Sequence, residues 1–256
     1  MKQGGIGDNL YISGIDVSGD IGSIQRIGGG PGLLDVTAIN AAGMERIGGQ
    51  RSGEIGFASY FNDGGAANRA AATGSTFLTL SALPTADALL TYARGTTLGN
   101  QGAGMVGKQV NYDMNRGQDA ALLFSTQALS NGFPLEWGVQ LTAGKRSDST
   151  ATAASSATSV DGAASTSFGW SAYLHVFSFT GTSCTVSIHD SGDNVSFTLL
   201  SGASFTAATG VTSQRIQAAT ATATVRRYLS VNTAGTFSAC TFAVLFVRHT
   251  TLALQI

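Results

Sequence analysis

Apolar and polar residues alternate with a period of two along much of this chain. Ile55 and Phe57, for example, share a face opposite Glu54 and Gly56. A period of two is typical of β-strands whose two faces meet different surroundings. It predicts strands in the first half at residues 54–61, 77–80, 108–112, 122–127 and 136–141. Several of these strands have one polar face, so we expect their sheets to meet water or a partner on one side.

One stretch has helical spacing instead. Residues 84–94 carry an apolar stripe at positions i, i+3, i+4 and i+7, formed by Ala86, Leu89, Leu90 and Ala93. Pro84 suits the first helical position, where its missing N–H needs no partner. Gly95 can adopt the left-handed conformation that ends a helix. The sequence therefore predicts one short helix over residues 84–94, followed by a glycine-rich loop at residues 99–107.

A change of composition divides the chain. Residues 147–167 are almost entirely Ser, Thr, Ala and Gly, with Val160 as the one large apolar residue. Such a stretch buries too little surface to offset the entropy of ordering it. We expect it to be a linker or a mobile surface segment between a domain at residues 1–146 and a second domain at residues 168–256.

The second domain has the regularly spaced turn sequences that are typical of an all-β unit. Short alternating runs are separated by turn sequences such as "DSGDN" and "TAGT", whose residues tolerate positive φ. The runs predict strands at residues 170–179, 184–189, 196–200, 213–217, 224–231 and 241–247. Six short strands at this spacing indicate an antiparallel sandwich of a jelly-roll-like kind. The expected fold class is thus mainly β.

The composition favours a surface made of small neutral side chains. Charged residues make up 11% of the 256 residues, against roughly 25% in ordinary soluble domains. The chain also contains 34 glycines. A neutral surface of this kind suits a protein that packs against copies of itself, although a monomeric β-protein is the alternative. The net charge of −1 is not concentrated in either half, which argues against tight binding of nucleic acid.

One motif resembles a phosphate-binding loop. The run "GAGMVGK" at residues 102–108 matches both GxGxxG and GxxxxGK. A phosphate loop follows a buried strand and opens a helix, so that backbone amides converge on the anion. Here a helix is expected before the run and a strand after it, and Gln109 replaces the Ser or Thr that would bind magnesium. We therefore interpret the run as a flexible turn.

Other candidates for chemistry are weak, so we predict no catalytic, cofactor-binding or metal-binding residue and no enzyme. The three histidines are isolated, and "HDSGDN" lacks the acid spacing of a calcium loop. Cys184 and Cys240 are expected to be free, buried thiols, because the start of the chain lacks the apolar core of a signal peptide. No stretch is apolar enough for membrane insertion. Trp170 and its aromatic neighbours favour core packing over a sugar-binding platform.

Ordered pieces of the chain resemble a known family. The segments "LDVTAIN", "GEIGFASYFN", "LSALPTADALLTYARGTTLGN", "GKQVNYDMNRG" and "LEWGVQLTAGKR" are similar to the major tail, or tail tube, proteins of long-tailed phages of actinobacteria. The segment "AYLHVFSFTGTSCTVSIHDSGDN" resembles the carbohydrate-binding-like sandwich often appended to them. The resemblance implies a tail-tube β-sandwich or barrel with one short helix, followed by an outer β-sandwich.

The resemblance also implies a function and partners. Tail tube subunits form hexameric rings that stack around a tape-measure protein, and their bore later carries the genome into the host. The expected partners are copies of the chain, the tape-measure protein, tail terminator and distal tail proteins, and DNA in transient, non-specific passage. The expected location is the virion tail, after assembly in the host cytoplasm. Strand edges paired between subunits would no longer be exposed to aggregation.

Within this hypothesis each segment has an expected place. The strands "DAALLFSTQ" and "EWGVQLT" are candidates for the inner sheet, and the helix at residues 84–94 for its outside. Residues 62–75 are a candidate for a loop that orders on stacking, with a mobile surface connection as the alternative. The outer domain would reinforce the tail or bind host-surface glycans through exposed aromatics such as Trp170. The rival interpretations are a capsid decoration or other virion protein, and a carbohydrate-binding surface module.

Overall fold

The computed structural model describes residues 5–63, 76–81, 86–116 and 121–250. These residues form fourteen strands, one short α-helix and two 3-10 helices at Ser18–Asp20 and Ser156–Thr158, which confirms a mainly β fold. The first half contains β1 (Asn9–Ile12), β2 (Ile15–Asp16), β3 (Ile21–Asp35), β4 (Arg46–Tyr60), α1 (Thr76–Leu80), β5 (Ala88–Ala93), β6 (Gln101–Arg116), β7 (Leu122–Ser130) and β8 (Glu136–Gln140). The second half contains β9 (Arg146–Asp148), β10 (Val160–Asp161), β11 (Trp170–Ser191), β12 (Thr198–Ser204), β13 (Thr212–Gln217) and β14 (Tyr228–Arg248).

The first unit, β1 to β8 with α1, is an antiparallel sheet curved around its own core. Its strands lie in the order β3, β4, β7, β6, β5, β1 and β2. One buried cluster takes side chains from β1, β4, β5, β6, β7 and α1, including Leu10, Phe57, Leu80, Leu90 and Met105. Since distant strands of the sheet share this cluster, their apolar faces must turn towards one another.

The second unit, β9 to β14, is built on two long paired strands. β11 and β14 pair from Trp170 opposite Arg248 to Ser191 opposite Tyr228. Register shifts between residues 176 and 183 interrupt the ladder, and such bulges bend a strand. β12 and β13 pair with β11 at its two ends, while β9 and β10 pair with β14. Both ends of the long pair contribute to one core cluster, as a sandwich requires.

One strand joins the two units. β8 pairs with β6 on one side, where Gly102 lies opposite Gly138, and with β14 on the other, where Phe246 lies opposite Val139. The hydrogen-bonded ladder therefore runs without a break from the first unit into the second. The division into domains at residues 146 and 168 stays a prediction.

The predicted helix at residues 84–94 is wrong for its described part. Ala88–Ala93 form β5, which pairs with β1 on one side and β6 on the other. Five of its six side chains are buried, because both faces of the strand pack against protein. A strand buried on both faces reads as a continuous apolar run, which resembles a helical stripe. Pro84 lies outside the described residues.

The predicted strand at residues 77–80 is also wrong. This run belongs to α1, a helix of five residues. Thr76 and Leu80 are buried, and their spacing of four places both on the inner side of one helical turn. The alternation in so short a run did not distinguish the two structures.

The glycine-rich run at residues 99–107 is not a flexible turn, because residues 101–107 form the buried start of β6. Its glycines allow close packing. A Cβ atom on Gly104 would lie 2.7 Å from the ring of Tyr173, and one on Gly107 would lie 2.6 Å from the carbonyl oxygen of Leu129. Glycine is required where another chain segment approaches the backbone this closely.

In the second half, several predicted strands are parts of longer ones. Residues 170–179 and 184–189 both belong to β11, and residues 241–247 belong to β14. The predicted run at residues 213–217 corresponds to β13. Residues 147–167, expected to be a linker or mobile, contain β9 and β10 and bridge to β14 through Thr152 opposite Thr233. The segment lies on the second unit because its backbone completes the outer edge of β14.

Candidate assembly interface

Four strands of the first unit form a sheet with two open margins. We call β3, β4, β7 and β6, in this order, the open sheet. Among the described residues, β3 pairs with β4 alone, and residues 109–116 of β6 pair with β7 alone. β5 and β8 accompany β6 over residues 101–107 and no further. Within the described part of the chain, the open sheet thus presents one row of unpaired backbone groups at each end.

The two faces of the open sheet differ in character. One face packs on the core of the first unit through Ile55, Phe57 and Ala128. The opposite face is polar. On it, Gln127 Nε2 donates a hydrogen bond of 2.8 Å to Glu54 Oε1, and Arg26 Nε lies 3.1 Å from Glu54 Oε2. The sheet is therefore fixed in register with its polar side outwards.

The polar face of the open sheet carries no surplus of positive charge. Asn111 Oδ1 accepts a hydrogen bond from the backbone N–H of Gln127 at 2.7 Å, and Asn111 Nδ2 donates to Asp113 Oδ2 at 2.7 Å. Together with Arg26 and Glu54, the described face is nearly neutral. A surface of this kind attracts phosphate groups weakly.

The far end of the open sheet extends beyond the core as a two-stranded hairpin. We call residues 29–52 the hairpin arm. It exposes Leu33, Leu34, Ile39, Met44 and Ile47. Leu33 is 66% exposed, although it is paired opposite Gly48 in the β3–β4 ladder, next to a register shift between Pro31 and Leu33. A lone two-stranded hairpin is only marginally stable in water, so its exposed apolar surface indicates a contact with another molecule.

The two units meet around a buried carboxylate. Glu136, at the start of β8, accepts hydrogen bonds at Oε2 from Ser171 Oγ at 2.9 Å, from Arg215 Nη2 at 3.0 Å and from the Tyr173 hydroxyl. His249 Nε2 lies 3.3 Å from Oε1. Burial by itself raises the pKa of Glu136, but the hydrogen bond from His249, the charge of Arg215 and the Tyr173 hydroxyl lower it below its ordinary value. The carboxylate therefore stays charged inside the junction.

Glu136 and Trp137 lie on opposite faces of β8. The structure buries Glu136 and leaves Trp137 55% exposed. Glu136 tolerates burial because Arg215 pairs with it, and the Arg215 guanidinium also stacks 3.8 Å from the centroid of Phe133.

A second buried contact lies elsewhere in the same junction. His175 of β11 accepts a hydrogen bond at Nδ1 from the backbone N–H of Gly14 at 3.1 Å, and its Nε2 lies 2.9 Å from Thr91 Oγ1. Gly14 lies in the β1–β2 turn with φ +83°, where glycine is the favoured residue. The second unit is thus held against β1, β2 and β5 as well as against β8.

The structure separates the two strands expected in an inner sheet. "DAALLFSTQ" corresponds to β7, in the middle of the open sheet. "EWGVQLT" corresponds to β8, which lies outside the open sheet between β6 and β14. The loop expected at residues 62–75 falls outside the described residues from residue 64 onwards. The sequence did not predict the hairpin arm. Its only sequence signal is a glycine-rich run with large apolar residues that follow neither the period of a strand nor that of a helix.

The glycan-binding role suggested for Trp170 is wrong as stated. Trp170 and Tyr173 are fully buried, and Trp170 stacks on Phe246 in the core of the second unit. Core packing of these aromatics, the favoured alternative, is confirmed. Cys184 and Cys240 are free and buried, as expected.

The part of the chain that the structure describes contains no group of three or more His, Cys, Asp or Glu side chains arranged to hold a metal ion. It also contains no helix with the length and apolar character needed to span a membrane.

Comparison with known proteins gives weak structural likenesses. No family model and no curated protein sequence matches the chain. The tail of an empty gene transfer agent particle with C6 symmetry aligns with 52% of this chain and 97% of its own, at 17% identity and a TM-score of 0.37. The Dit protein of phage SPP1 aligns with 94% of this chain and 99% of its own, at 11% identity and a TM-score of 0.35. The activated baseplate of phage p2 gives a TM-score of 0.31 at 8% identity, over 94% of this chain and 98% of that one. At these values the likenesses carry no argument about function.

Proposed function

We propose that the chain is a structural protein of a phage tail whose copies join head to tail into a closed ring. The observation that carries the proposal is the open sheet, in which β3 and residues 109–116 of β6 each have a margin that no other described strand pairs with. Because the two margins are different surfaces, joining one to the other is a heterologous contact that repeats. If the rotation closes, the repeat gives one continuous inner sheet.

The faces of the open sheet support a bore at the centre of the ring. Its apolar side is already covered by the core of the first unit, so we assign the polar side to the inside of the closed ring. That side carries Arg26 paired with Glu54, and Asp113, and its described residues form no basic cluster. A nearly neutral wall lets DNA pass without holding its phosphates.

The hairpin arm supports contacts between neighbouring copies. It continues β3 and β4 outside the core, so its apolar residues project from the same margin that joins the ring. Burial of these residues against another copy would remove an exposed apolar surface that a monomer leaves in water.

The resemblance noted in the sequence supplies the finer proposals. We propose that the rings are hexameric and stack into a tube in the virion. A tape-measure protein would lie inside the bore, and terminator and distal tail proteins would lie at the ends of the tube. The second unit would then lie on the outside of the tube. Its Trp170 is buried, so this unit is proposed as reinforcement rather than as a glycan platform built on that residue.

Intermolecular cross-linking tests the head-to-tail contact. Ser23 and Asp113 lie on exposed parts of the two margins, and the native cysteines are buried. The double variant Ser23→Cys/Asp113→Cys should form disulfide-linked ladders under mild oxidation, whereas each single variant should stay monomeric on a denaturing gel. Efficient dimers of the Ser23→Cys variant alone would show a symmetric contact and overturn the proposal.

Electron micrographs of the purified chain test the ring directly. Rings or tubes with a central bore are expected. Single closed rings that do not stack would place the chain at one end of a tail rather than along it. Monomers at high concentration would favour a surface-binding module.

A further inference from the structure

We propose that the contact of His175 with Gly14 and Thr91 is a proton-sensitive lock between the two units. The inference is independent of ring formation, because every residue in the contact belongs to one copy. Its basis is that this imidazole, shut inside the junction, can keep both of its hydrogen bonds in one protonation state only.

The hydrogen bonds define that state. The backbone N–H of Gly14 donates to Nδ1 at 3.1 Å, so Nδ1 must carry a lone pair and no proton. The proton of the neutral ring then lies on Nε2, which donates to Thr91 Oγ1 at 2.9 Å. A second proton on Nδ1 would point one N–H group at another. The contact with Gly14 would then be lost.

The surroundings of His175 offer no compensation for a positive charge. The side chain is 1% exposed and packs against the rings of Tyr11, at 5.9 Å, and Phe177, at 6.2 Å, which also touch each other. Its cross-strand neighbours on β13 and β14 are Ser213 and Ala243. Burial lowers the pKa of His175 from its ordinary value of 6.5 to about 3.

The ionised groups beside the neighbouring rings of Phe177 and Tyr11 are already paired with each other. Lys145 Nζ lies 2.6 Å from Asp16 Oδ2 and 5.6 Å from the centroid of the Phe177 ring. Burial, and next the charge of Asp16, raise the pKa of Tyr11, so that this group stays neutral. Among the described residues, no carboxylate contacts the imidazole of His175. The charged ring is therefore favoured only when the junction opens and water reaches it.

The position of His175 gives the protonation a mechanical effect. The imidazole links β11 of the second unit to the β1–β2 turn and to β5 of the first. Below the ordinary pKa of histidine, the open junction binds a proton that the closed junction excludes. Each further pH unit then shifts the ratio of open to closed junction about tenfold towards the open form.

Hydrogen exchange of the Gly14 amide measures the opening directly. From pH 6.5 to pH 4.5 its protection factor, corrected for intrinsic exchange, should fall about 50-fold. The variant His175→Gln keeps an acceptor for Gly14 and a donor for Thr91 but does not titrate, so its protection should change less than threefold. His189→Gln is the matched control; it removes a partly exposed histidine of the same strand and should behave as the unchanged chain does.

Three results would overturn the lock. One is a Gly14 protection factor that does not change with pH in the unchanged chain. Another is an equal fall in the His175→Gln variant. The third is an equal fall at the amide of Phe57, in the β4–β7 ladder, which would indicate unfolding of the whole chain. Should His175→Gln fail to fold, ¹⁵N shifts of the ring in the unchanged chain decide, because a protonated His175 in a closed junction at pH 5 contradicts the proposal.

Discussion

The hairpin arm and the second unit treat their large apolar residues in opposite ways. The second unit encloses Trp170, Phe242 and Phe246 completely. The arm, built from strands of similar regularity, leaves Leu33 and Ile47 in water. Strand pairing alone therefore does not show that the apolar residues of a segment are buried within one copy. The enclosed strands stabilise one copy, and the exposed strands are suited to join several copies.

The largest difference between the two regions should be seen on truncating a core aromatic. Phe242→Ala removes a fully buried ring in contact with the second-unit core and should lower the free energy of unfolding by about 4 kcal/mol. Denaturant titration measures this. Leu33→Ala in the arm is the control and should change the same quantity by less than about 0.5 kcal/mol. Equal losses at the two sites would show that the arm is packed after all.

The next largest effect is expected at the junction. Glu136→Ala leaves the Arg215 guanidinium buried without its partner and should cost about 3 kcal/mol of unfolding free energy. Adding Arg215→Met should recover much of that loss. Because the pKa of Glu136 is lowered in the folded chain, its contribution is present above its ordinary pKa of 4.5 and is lost as the pH falls further. A double variant no more stable than the single one would contradict the pairing.

A smaller effect separates two adjacent glycines of the arm. A Cβ atom on Gly29 would lie 2.1 Å from the carbonyl oxygen of Ser52, whereas one on Gly30 meets open space. Gly29→Ala should destabilise the arm by about 1–2 kcal/mol, and Gly30→Ala should not. Limited proteolysis between residues 29 and 52 compares them. Equal cleavage rates would mean that the arm backbone has no fixed register.

The smallest effect on stability is expected where the effect on assembly is largest. Leu34 and Ile47 lie opposite each other in the arm. Replacing both by Ser should change the unfolding free energy by less than about 0.5 kcal/mol, since neither is buried within one copy. Light scattering should nevertheless show that rings or tubes no longer form. Unimpaired assembly of this variant would remove the arm from the proposed contacts.

The same contrast explains which elements could be predicted from the sequence. β4 and β7 were predicted because each has one core face and one polar face, so that Phe57 and Gln127 alternate in character with their neighbours. The sequence of β5 predicts a helix because protein covers both faces of the strand, which makes its residues a continuous apolar run. The buried Glu136 could not be anticipated, since its partner Arg215 lies 79 residues away. The arm had no pattern, because its apolar residues face no core of their own.

β14 pairs with β8, β9, β10 and β11, and all four precede it in the chain. A ribosome therefore completes every neighbour of this central strand before it makes the strand itself. Until then β8 and β11 lack a shared partner, and the second unit depends on contacts between residues far apart in the chain, which slow folding. A nascent chain should consequently fold its second unit late, and one interrupted before residue 228 should need chaperones to avoid aggregation.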